Sequence, residues 1–164
     1  MSETFGEKMV AWARNRLKSP YLRGENGPDR FDCVGLVRWC AEQAGYGNQA
    51  MSLGGSTAPD VDEYHCIQAE AQNVNLRRVS GARNLWYYDV NKFFSDSSLQ
   101  TGDIVFMKGG MLLPDVVTHC GIYDTGGIII HATEFETYNV REDNIFNADG
   151  WPKGSVIGYG RLRC

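Results

Sequence analysis

The side chains best suited to chemistry in this sequence are one thiol and two imidazoles, those of Cys33, His119 and His131. Nucleophilic catalysis by a thiol requires a thiolate, a base that generates it and a group that orients the base. Cys33 directly follows Asp32, a residue type that caps helices, so we expect Cys33 in the first turn of a helix over residues 33–44. The helix dipole and the unpaired N–H groups of that turn favour the thiolate, so Cys33 is the candidate nucleophile.

The two histidines lie on consecutive predicted strands, residues 116–124 and 128–133, which are separated by a three-residue turn containing two glycines. This turn length sets an antiparallel register in which Gly121 faces His131 and His119 lies diagonally beside it. Because side chains alternate along a strand, both imidazoles are then on one face and within reach of a ring-to-ring hydrogen bond. Each histidine alone would more often be structural, but together beside a thiol they predict His119 as base and His131 as its orienting residue.

A metal site is the main alternative for these residues, because His65-Cys66 and His119-Cys120 each place two ligand types side by side. Neighbouring residues on a strand point to opposite faces, so His119 and Cys120 are not expected to chelate one ion. The sequence has no Cys-x-x-Cys or His-Glu-x-x-His motif and no phosphate-binding glycine loop. We therefore predict no metal and no cofactor.

The remaining pattern predicts helices first and strands afterwards. A first helix is expected within residues 3–18, with an apolar stripe made of Phe5, Met9, Trp12, Ala13 and Leu17. Strands are predicted at residues 103–107, 116–124, 128–133 and 156–162. A short helix over 59–71 is also expected, and the aromatic stretch 86–94 is expected to pack over the rest of the fold. This order indicates an α+β fold with an antiparallel sheet.

Composition limits the classes of protein to which the chain could belong. It has 164 residues, 43% hydrophobic and 22% charged, which is typical of one globular domain. A net charge of −4 argues against partners bound through net positive charge, such as nucleic acid or an anionic membrane. No apolar run is long enough to span a membrane, and the first twenty residues lack the apolar segment of a signal peptide.

The five cysteines are predicted to be reduced thiols. Cys33 and Cys40 are two helical turns apart, about 10 Å, whereas a disulfide needs Cα atoms within about 7 Å. Cys40 lies among apolar residues at helical spacing, so it fits the role of a buried structural cysteine better than Cys33 does.

Several segments resemble the motifs of the NlpC-type papain-like cysteine peptidases. Residues 31–37 (FDCVGLV) resemble the nucleophile motif F-D-C-S-G-L-V, and residues 99–106 (LQTGDIVF) resemble the strand L-x-x-G-D-L-V-F. Residues 119–123 (HCGIY) and 130–132 (IHA) resemble H-V-G-I-Y and I-H-A in the expected order. Tyr21 and Gly24 match the loop Y-x-x-G-G. The resemblance therefore extends over both ends of the chain.

The resemblance implies a papain-like core with Cys33 as nucleophile, His119 as base and His131 as the third polar residue. It further implies that Tyr21 helps to stabilise the oxyanion and that Asp32 holds the free amine of a peptide. Members of this family typically hydrolyse amide bonds in the stem peptides of bacterial peptidoglycan. We therefore expect residues 1–164 to form a single catalytic domain, with an insertion at about 46–98.

Two departures from the family pattern keep other functions open. Val34 stands where the motif has serine, and the 46–98 segment is longer than in the minimal family core. The alternatives are a thiol amidase or acyltransferase acting elsewhere than the wall, and a catalytically idle module that binds the wall. Without a signal peptide, we expect synthesis in the cytoplasm and delivery to the wall by a phage tail or secretion machine. An immunity protein is a further candidate partner, and a cytoplasmic recycling role is the alternative location.

Overall fold

The computed structural model describes residues 3–45, 82, 85–86, 90–108, 117–134, 137–146 and 156–162. These residues include two α-helices, α1 (Phe5–Asn15) and α2 (Cys33–Gln43), and a 3-10 turn at Asp96–Ser98. They also include six strands: β1 (Val90–Phe93), β2 (Ile104–Lys108), β3 (Val117–Asp124), β4 (Ile128–Thr133), β5 (Asn139–Asn144) and β6 (Val156–Leu162).

Helix α1 begins at a capping box of two polar side chains. The Thr4 hydroxyl accepts a hydrogen bond from the Glu7 N–H at 3.1 Å, and the Glu7 carboxylate accepts one from the Thr4 N–H at 2.8 Å. These bonds satisfy backbone donors that no helical carbonyl can reach. The chain leaves the helix before Lys18, which has a φ of +74°. The predicted extent of this helix, 3–18, is therefore too long at its C-terminal end.

The buried face of α1 differs in part from the predicted stripe. Met9 and Ala13 are fully buried as predicted, whereas Trp12 and Leu17 are 36% and 37% exposed. Leu17 lies beyond the last helical residue, and Trp12 packs edge-on against Trp39 with ring centroids 5.5 Å apart. The prediction was wrong at these two positions because the helix is shorter and the indole lies at the rim of the core.

Helix α2 is buried more extensively than helix α1. Its buried residues are Val34, Gly35, Leu36, Val37, Trp39, Cys40 and Ala41. It ends one residue earlier than predicted, because Ala44 is the C-cap, and Gly45 follows with a φ of +99°. The predicted burial of Cys40 is confirmed, and Cys33 is the first residue of the helix.

The strands form one antiparallel sheet in the order β1-β6-β2-β3-β4-β5. All four predicted strands are confirmed, with boundary shifts of one residue in β2 and β3. Helix α2 packs against β3 and β4, and α1 packs against α2. The predicted α+β class with an antiparallel sheet is therefore confirmed.

Sequence reasoning missed both edge strands, β1 and β5. In β5 only Val140 is buried, and in β1 only Val90 is fully buried, so neither has the apolar alternation that predicts a strand. Strand β1 lies inside the predicted insertion and pairs with β6. The predicted helix at 59–71 lies outside the described residues.

The sheet has apolar side chains on both faces. The residues on the face toward the helices include Ile104, Phe106, Cys120, Ile122, Ile130 and Ala132. The apolar residues on the opposite face of the sheet include Val105, Met107, Tyr123, Ile129 and Tyr159. Trp86 packs on Phe106 with ring centroids 4.9 Å apart, so this part of the aromatic stretch covers the fold as predicted. Neither described helix is long and apolar enough to cross a membrane.

Candidate active site

The nucleophile position is built by the cap of helix α2. The Asp32 carboxylate accepts a hydrogen bond from the Gly35 N–H at 2.7 Å and another from the Gly24 N–H at 2.9 Å. The first bond begins the helix, and the second ties the preceding loop to that helix end. Cys33, half-buried, is therefore held in the first helical turn, where the positive end of the helix dipole favours a thiolate.

The two histidines meet as the predicted register requires. Ile122 pairs with Ile130, and the connecting turn contains two glycines with φ near +85°. His119 Nε2 lies 2.7 Å from His131 Nδ1, and the ring centroids are 5.0 Å apart. A Cβ atom on Gly121 would lie 3.0 Å from the His131 Cβ, so the glycine leaves room for the imidazole. The predicted juxtaposition of His119 and His131 is confirmed.

A β-bulge in β3 lies beside His119. Met107 pairs with His119, but the next residue, Lys108, pairs with Val117, so β3 has one extra residue there. Bulges bend a strand and re-aim neighbouring side chains. Both His119 and Cys120 hydrogen-bond Cys33. Beside this bulge the two neighbouring side chains therefore share one partner, the Cys33 sulfur.

The contacts of Cys33 favour its ionised form. The hydrogen bond from the Cys120 thiol, together with the hydrogen bond and positive charge of His119, lowers the pKa of Cys33 although burial opposes the shift. Burial raises the pKa of Cys120, so Cys120 remains the proton donor of the pair. Cys33 therefore carries the negative charge, and it is the one close to both the base and the helix dipole.

Burial also sets the protonation of the two histidines. Burial lowers the pKa of His119, and the adjacent Cys33 offsets part of this shift. Burial also lowers the pKa of His131, and Asp143 offsets part of that shift. His131 has no exposed surface. The second imidazole is therefore neutral near pH 7 and orients its partner without competing for the proton.

Two residues of the site were missed by sequence reasoning. His131 Nε2 lies 2.7 Å from an Asp143 carboxylate oxygen, and Arg141 donates to both oxygens of that carboxylate at 2.7 and 2.6 Å. Both residues belong to β5, and Arg141 pairs directly with His131 across the sheet. Because β5 is mostly polar, it lacks the apolar alternation that predicts a strand, so the sequence did not place these two residues beside His131. A carboxylate at alternate spacing with an arginine was the only local signal.

Tyr21 and Asp32 lie near the nucleophile, but their predicted roles toward substrate stay predictions. Tyr21 is half-buried, and burial together with the nearby Cys33 charge raises the pKa of its hydroxyl, which stays protonated. A protonated hydroxyl can donate to an oxyanion. Asp32 is 3% exposed and both its oxygens accept backbone N–H groups, so its observed contacts belong to the helix cap.

Within the described residues, no group of three or more His, Cys, Asp and Glu side chains is arranged to hold a metal ion. The site is instead a linear series of hydrogen bonds from Cys33 through the two histidines to Asp143. A series in which a thiolate meets an oriented imidazole can carry out acyl transfer through a covalent intermediate.

The profile of the NlpC/P60 family matches residues 18–153 of this sequence. The chain belongs to the NlpC/P60 family. It is 29% identical over 154 residues to the probable endopeptidase p60 of Listeria grayi, covering 94% of this chain and 22% of that protein. It is 29% identical over 132 residues to the probable endopeptidase Cgl2188 of Corynebacterium glutamicum, covering 80% of this chain and 45% of that protein. The chain thus spans less than half the length of these relatives.

Solved structures of the NlpC/P60 family share the fold. NlpC1 from Trichomonas vaginalis superposes with a TM-score of 0.69 at 20% identity, over 99% of this chain and 45% of that one. The NlpC/P60 domain of the peptidoglycan hydrolase SagA gives a TM-score of 0.54 at 19% identity, over 97% and 98% of the two chains. The peptidoglycan hydrolase RipB from Mycobacterium tuberculosis gives 0.58 at 16% identity, over 98% and 66%. The helices and the antiparallel sheet described above are therefore the family fold.

Proposed function

We propose that this protein is a cysteine hydrolase that cleaves amide bonds in the stem peptides of bacterial peptidoglycan. The observation that carries the proposal is the contact between Cys33 and His119, whose Nε2 atom lies 2.7 Å from His131. Membership of the NlpC/P60 family supports the reaction class. The structural neighbours described as peptidoglycan hydrolases support the substrate class.

The first half of the reaction transfers an acyl group to sulfur. His119 first takes the proton of the Cys33 thiol. The resulting thiolate attacks the amide carbonyl carbon, the S–C bond forms, and the carbonyl π electrons move onto oxygen. Collapse of this tetrahedral species breaks the C–N bond, and His119 gives its proton to the departing nitrogen. The products of this step are a free amine and a thioester on Cys33.

The second half returns the thiol. His119, now neutral, accepts a proton from water as the water oxygen attacks the thioester carbonyl. Collapse breaks the C–S bond, releases a carboxylic acid and restores the thiolate beside the protonated imidazole. One water molecule is consumed for each amide bond that is cleaved.

The negative oxygen formed in both steps lies close to the beginning of α2. Backbone N–H groups at a helix start point outward and suit a developing anion. We expect the Tyr21 hydroxyl, which is protonated and near Cys33, to add a further donor to this oxygen. In this proposal the main role of Asp32 is to hold together the loop and the helix that carry the nucleophile.

Digestion of purified peptidoglycan, with mass spectrometry of the products, tests this proposal. The wild-type protein is expected to release fragments with a new free amine and a new carboxyl group. Cys33→Ala should release none, and Cys40→Ala is the matched control because Cys40 is a thiol buried in the same helix. Fragments whose masses require cleavage of a glycosidic bond, or no release by the wild type, would overturn the proposal.

A peptidoglycan substrate requires that the chain reach the cell wall. Delivery by a phage tail or a secretion machine is our proposal for that step, with an immunity protein as a further candidate partner. Recovery of the protein from isolated virions or from culture supernatant would support it. Retention of all the protein inside producing cells would instead favour a cytoplasmic recycling role.

A further inference from the structure

We propose that Asp143 is a positioning residue that fixes the ring tautomers of both histidines and so keeps the Nδ1 atom of His119 available to accept the thiol proton. This inference rests on the proposed function, because it names the residue that prepares the base for that reaction. The proton positions on the two imidazoles can be measured without any substrate.

Three consecutive contacts connect Cys33 to Asp143. Cys33 hydrogen-bonds His119, whose Nε2 atom is 2.7 Å from the Nδ1 atom of His131. The Nε2 atom of His131 is 2.7 Å from an oxygen of Asp143. Because Nε2 of His119 is engaged by the second ring, Nδ1 is the nitrogen that remains for the sulfur.

The ionisation of Asp143 decides the direction of these bonds. Burial opposes the charge, but hydrogen bonds from His131 and Arg141 outweigh it and lower the pKa of Asp143. An ionised carboxylate can only accept hydrogen bonds, so the His131 Nε2 must carry a proton and donate it. Neutral His131 then presents a lone pair at Nδ1, which accepts a hydrogen bond from the Nε2–H of His119.

The same assignment gives His119 the correct form for a base. With its proton on Nε2, neutral His119 has a lone pair on Nδ1 facing the Cys33 sulfur. When it takes the thiol proton, it becomes an imidazolium that still donates from Nε2 to His131. The Nε2 proton stays in place in both states, and only the Nδ1 proton is exchanged with the sulfur or with the leaving nitrogen.

Arg141 keeps Asp143 in the geometry that this role needs. It donates at 2.7 Å to the same oxygen that faces His131 and at 2.6 Å to the other oxygen. A two-pronged arginine contact fixes the plane of a carboxylate. The His131 side chain has 0% exposure and that of Asp143 has 14%, so water has little access to replace the carboxylate as acceptor.

Nuclear magnetic resonance of the ¹⁵N-labelled imidazoles tests the assignment in the unmodified protein. We expect the neutral form of His119 to be protonated on Nε2 and unprotonated on Nδ1, and His131 to show the same tautomer. In Asp143→Asn the amide can donate as well as accept, so we expect a mixture of tautomers on both rings. A wild-type spectrum with the His119 proton on Nδ1 would overturn the inference.

The turnover rate of the enzyme supplies a second readout. In Asp143→Asn we expect kcat on a stem peptide to fall by about 10- to 1,000-fold with little change in KM, because the substrate-binding surface is retained. The matched control is Glu142→Gln, which removes a carboxylate from the adjacent position of β5 where it is bound by Arg14 instead. Equal activity of the two variants would contradict the inference.

A second variant distinguishes positioning from folding. Arg141→Gln leaves the Asp143 carboxylate in place, so the predicted tautomers should persist while kcat falls less than in Asp143→Asn. If both variants lose activity equally and both keep the wild-type tautomers, Asp143 has only a structural role. If the wild type cleaves no peptidoglycan yet shows the predicted tautomers and Asp143-dependent alkylation of Cys33 by iodoacetamide, the proposed function fails and this inference stands.

Discussion

Cys120 donates a hydrogen bond to Cys33 from a fully buried position on β3. The corresponding position of the H-V-G-I-Y motif is valine, an apolar residue of similar volume. This chain therefore has a thiol donor where the motif has none. The pKa values of the two thiols are shifted in opposite directions. Burial raises the pKa of Cys120, and the hydrogen bond that Cys120 donates contributes to lowering the pKa of Cys33.

Cys120→Val tests the contribution of that thiol to nucleophile activation. The variant loses the donor, so the pKa of Cys33 should rise and the acidic limb of its alkylation rate should move to higher pH. Valine fills similar space, and thermal stability should change by less than about 1.5 kcal/mol. Iodoacetamide labelling across pH, with mass spectrometry to assign the site, measures the limb. Cys40→Val is the control, and an unchanged limb in Cys120→Val would contradict the assignment.

Replacement of His131 should separate orientation from proton transfer. In His131→Asn the amide oxygen can still accept a hydrogen bond from the His119 Nε2–H, so about tenfold lower kcat is expected. In His131→Ala the His119 ring loses its partner, and kcat should fall by about 100-fold or more. His119→Asn removes the base itself and should cost nearly as much as loss of the nucleophile.

Steady-state kinetics on a stem peptide measures these three variants, and circular dichroism confirms that each is folded. Wild-type kcat in both His131 variants would show that the 2.7 Å ring-to-ring contact has no part in catalysis.

The two histidines predict how stability depends on pH. Burial lowers the pKa of both His119 and His131 in the folded state, so the unfolded chain binds more protons at mildly acidic pH. Stability from this source is fully present above the unfolded pKa, about 6.5, and is lost as pH falls through that value. The free energy of unfolding should therefore decrease between about pH 7 and pH 5.

Denaturant unfolding at a series of pH values measures this slope. His131→Asn removes one of the two groups, so its slope over the same interval should be smaller than that of the wild type. A slope equal to or steeper than that of the wild type would show that His131 is not held neutral by burial.

Asp32 is predicted to act through the cap of α2. Asp32→Ala removes the acceptor for both the Gly35 and the Gly24 N–H groups and should lower stability by about 1–2 kcal/mol. Asp32→Asn keeps an oxygen that can begin the helix and should lower it less. Denaturation midpoints of the two variants provide the comparison. Unchanged stability in Asp32→Ala would leave substrate binding as the reason for an acidic residue at this position.

The parts of the site that could be predicted from sequence depend on local signals. Asp32 before an apolar helical pattern predicts the beginning of α2, and the glycine turn between β3 and β4 fixes the register that joins His119 to His131. Tertiary features could not be predicted in this way. Asp143 lies on an edge strand with only one buried residue, and Cys120 reaches Cys33 beside a bulge that nothing in the local sequence indicates.

The most direct test of the account is intact-protein mass spectrometry during turnover of a peptidoglycan stem peptide. We expect a transient adduct whose added mass equals the acyl fragment, located on Cys33 by peptide mapping. The adduct should be absent from Cys33→Ala. His119→Asn lacks the base that activates water, so once an activated substrate has formed the thioester on Cys33, the adduct should accumulate. Product formation by folded Cys33→Ala, or an adduct located on any other residue, would contradict the account.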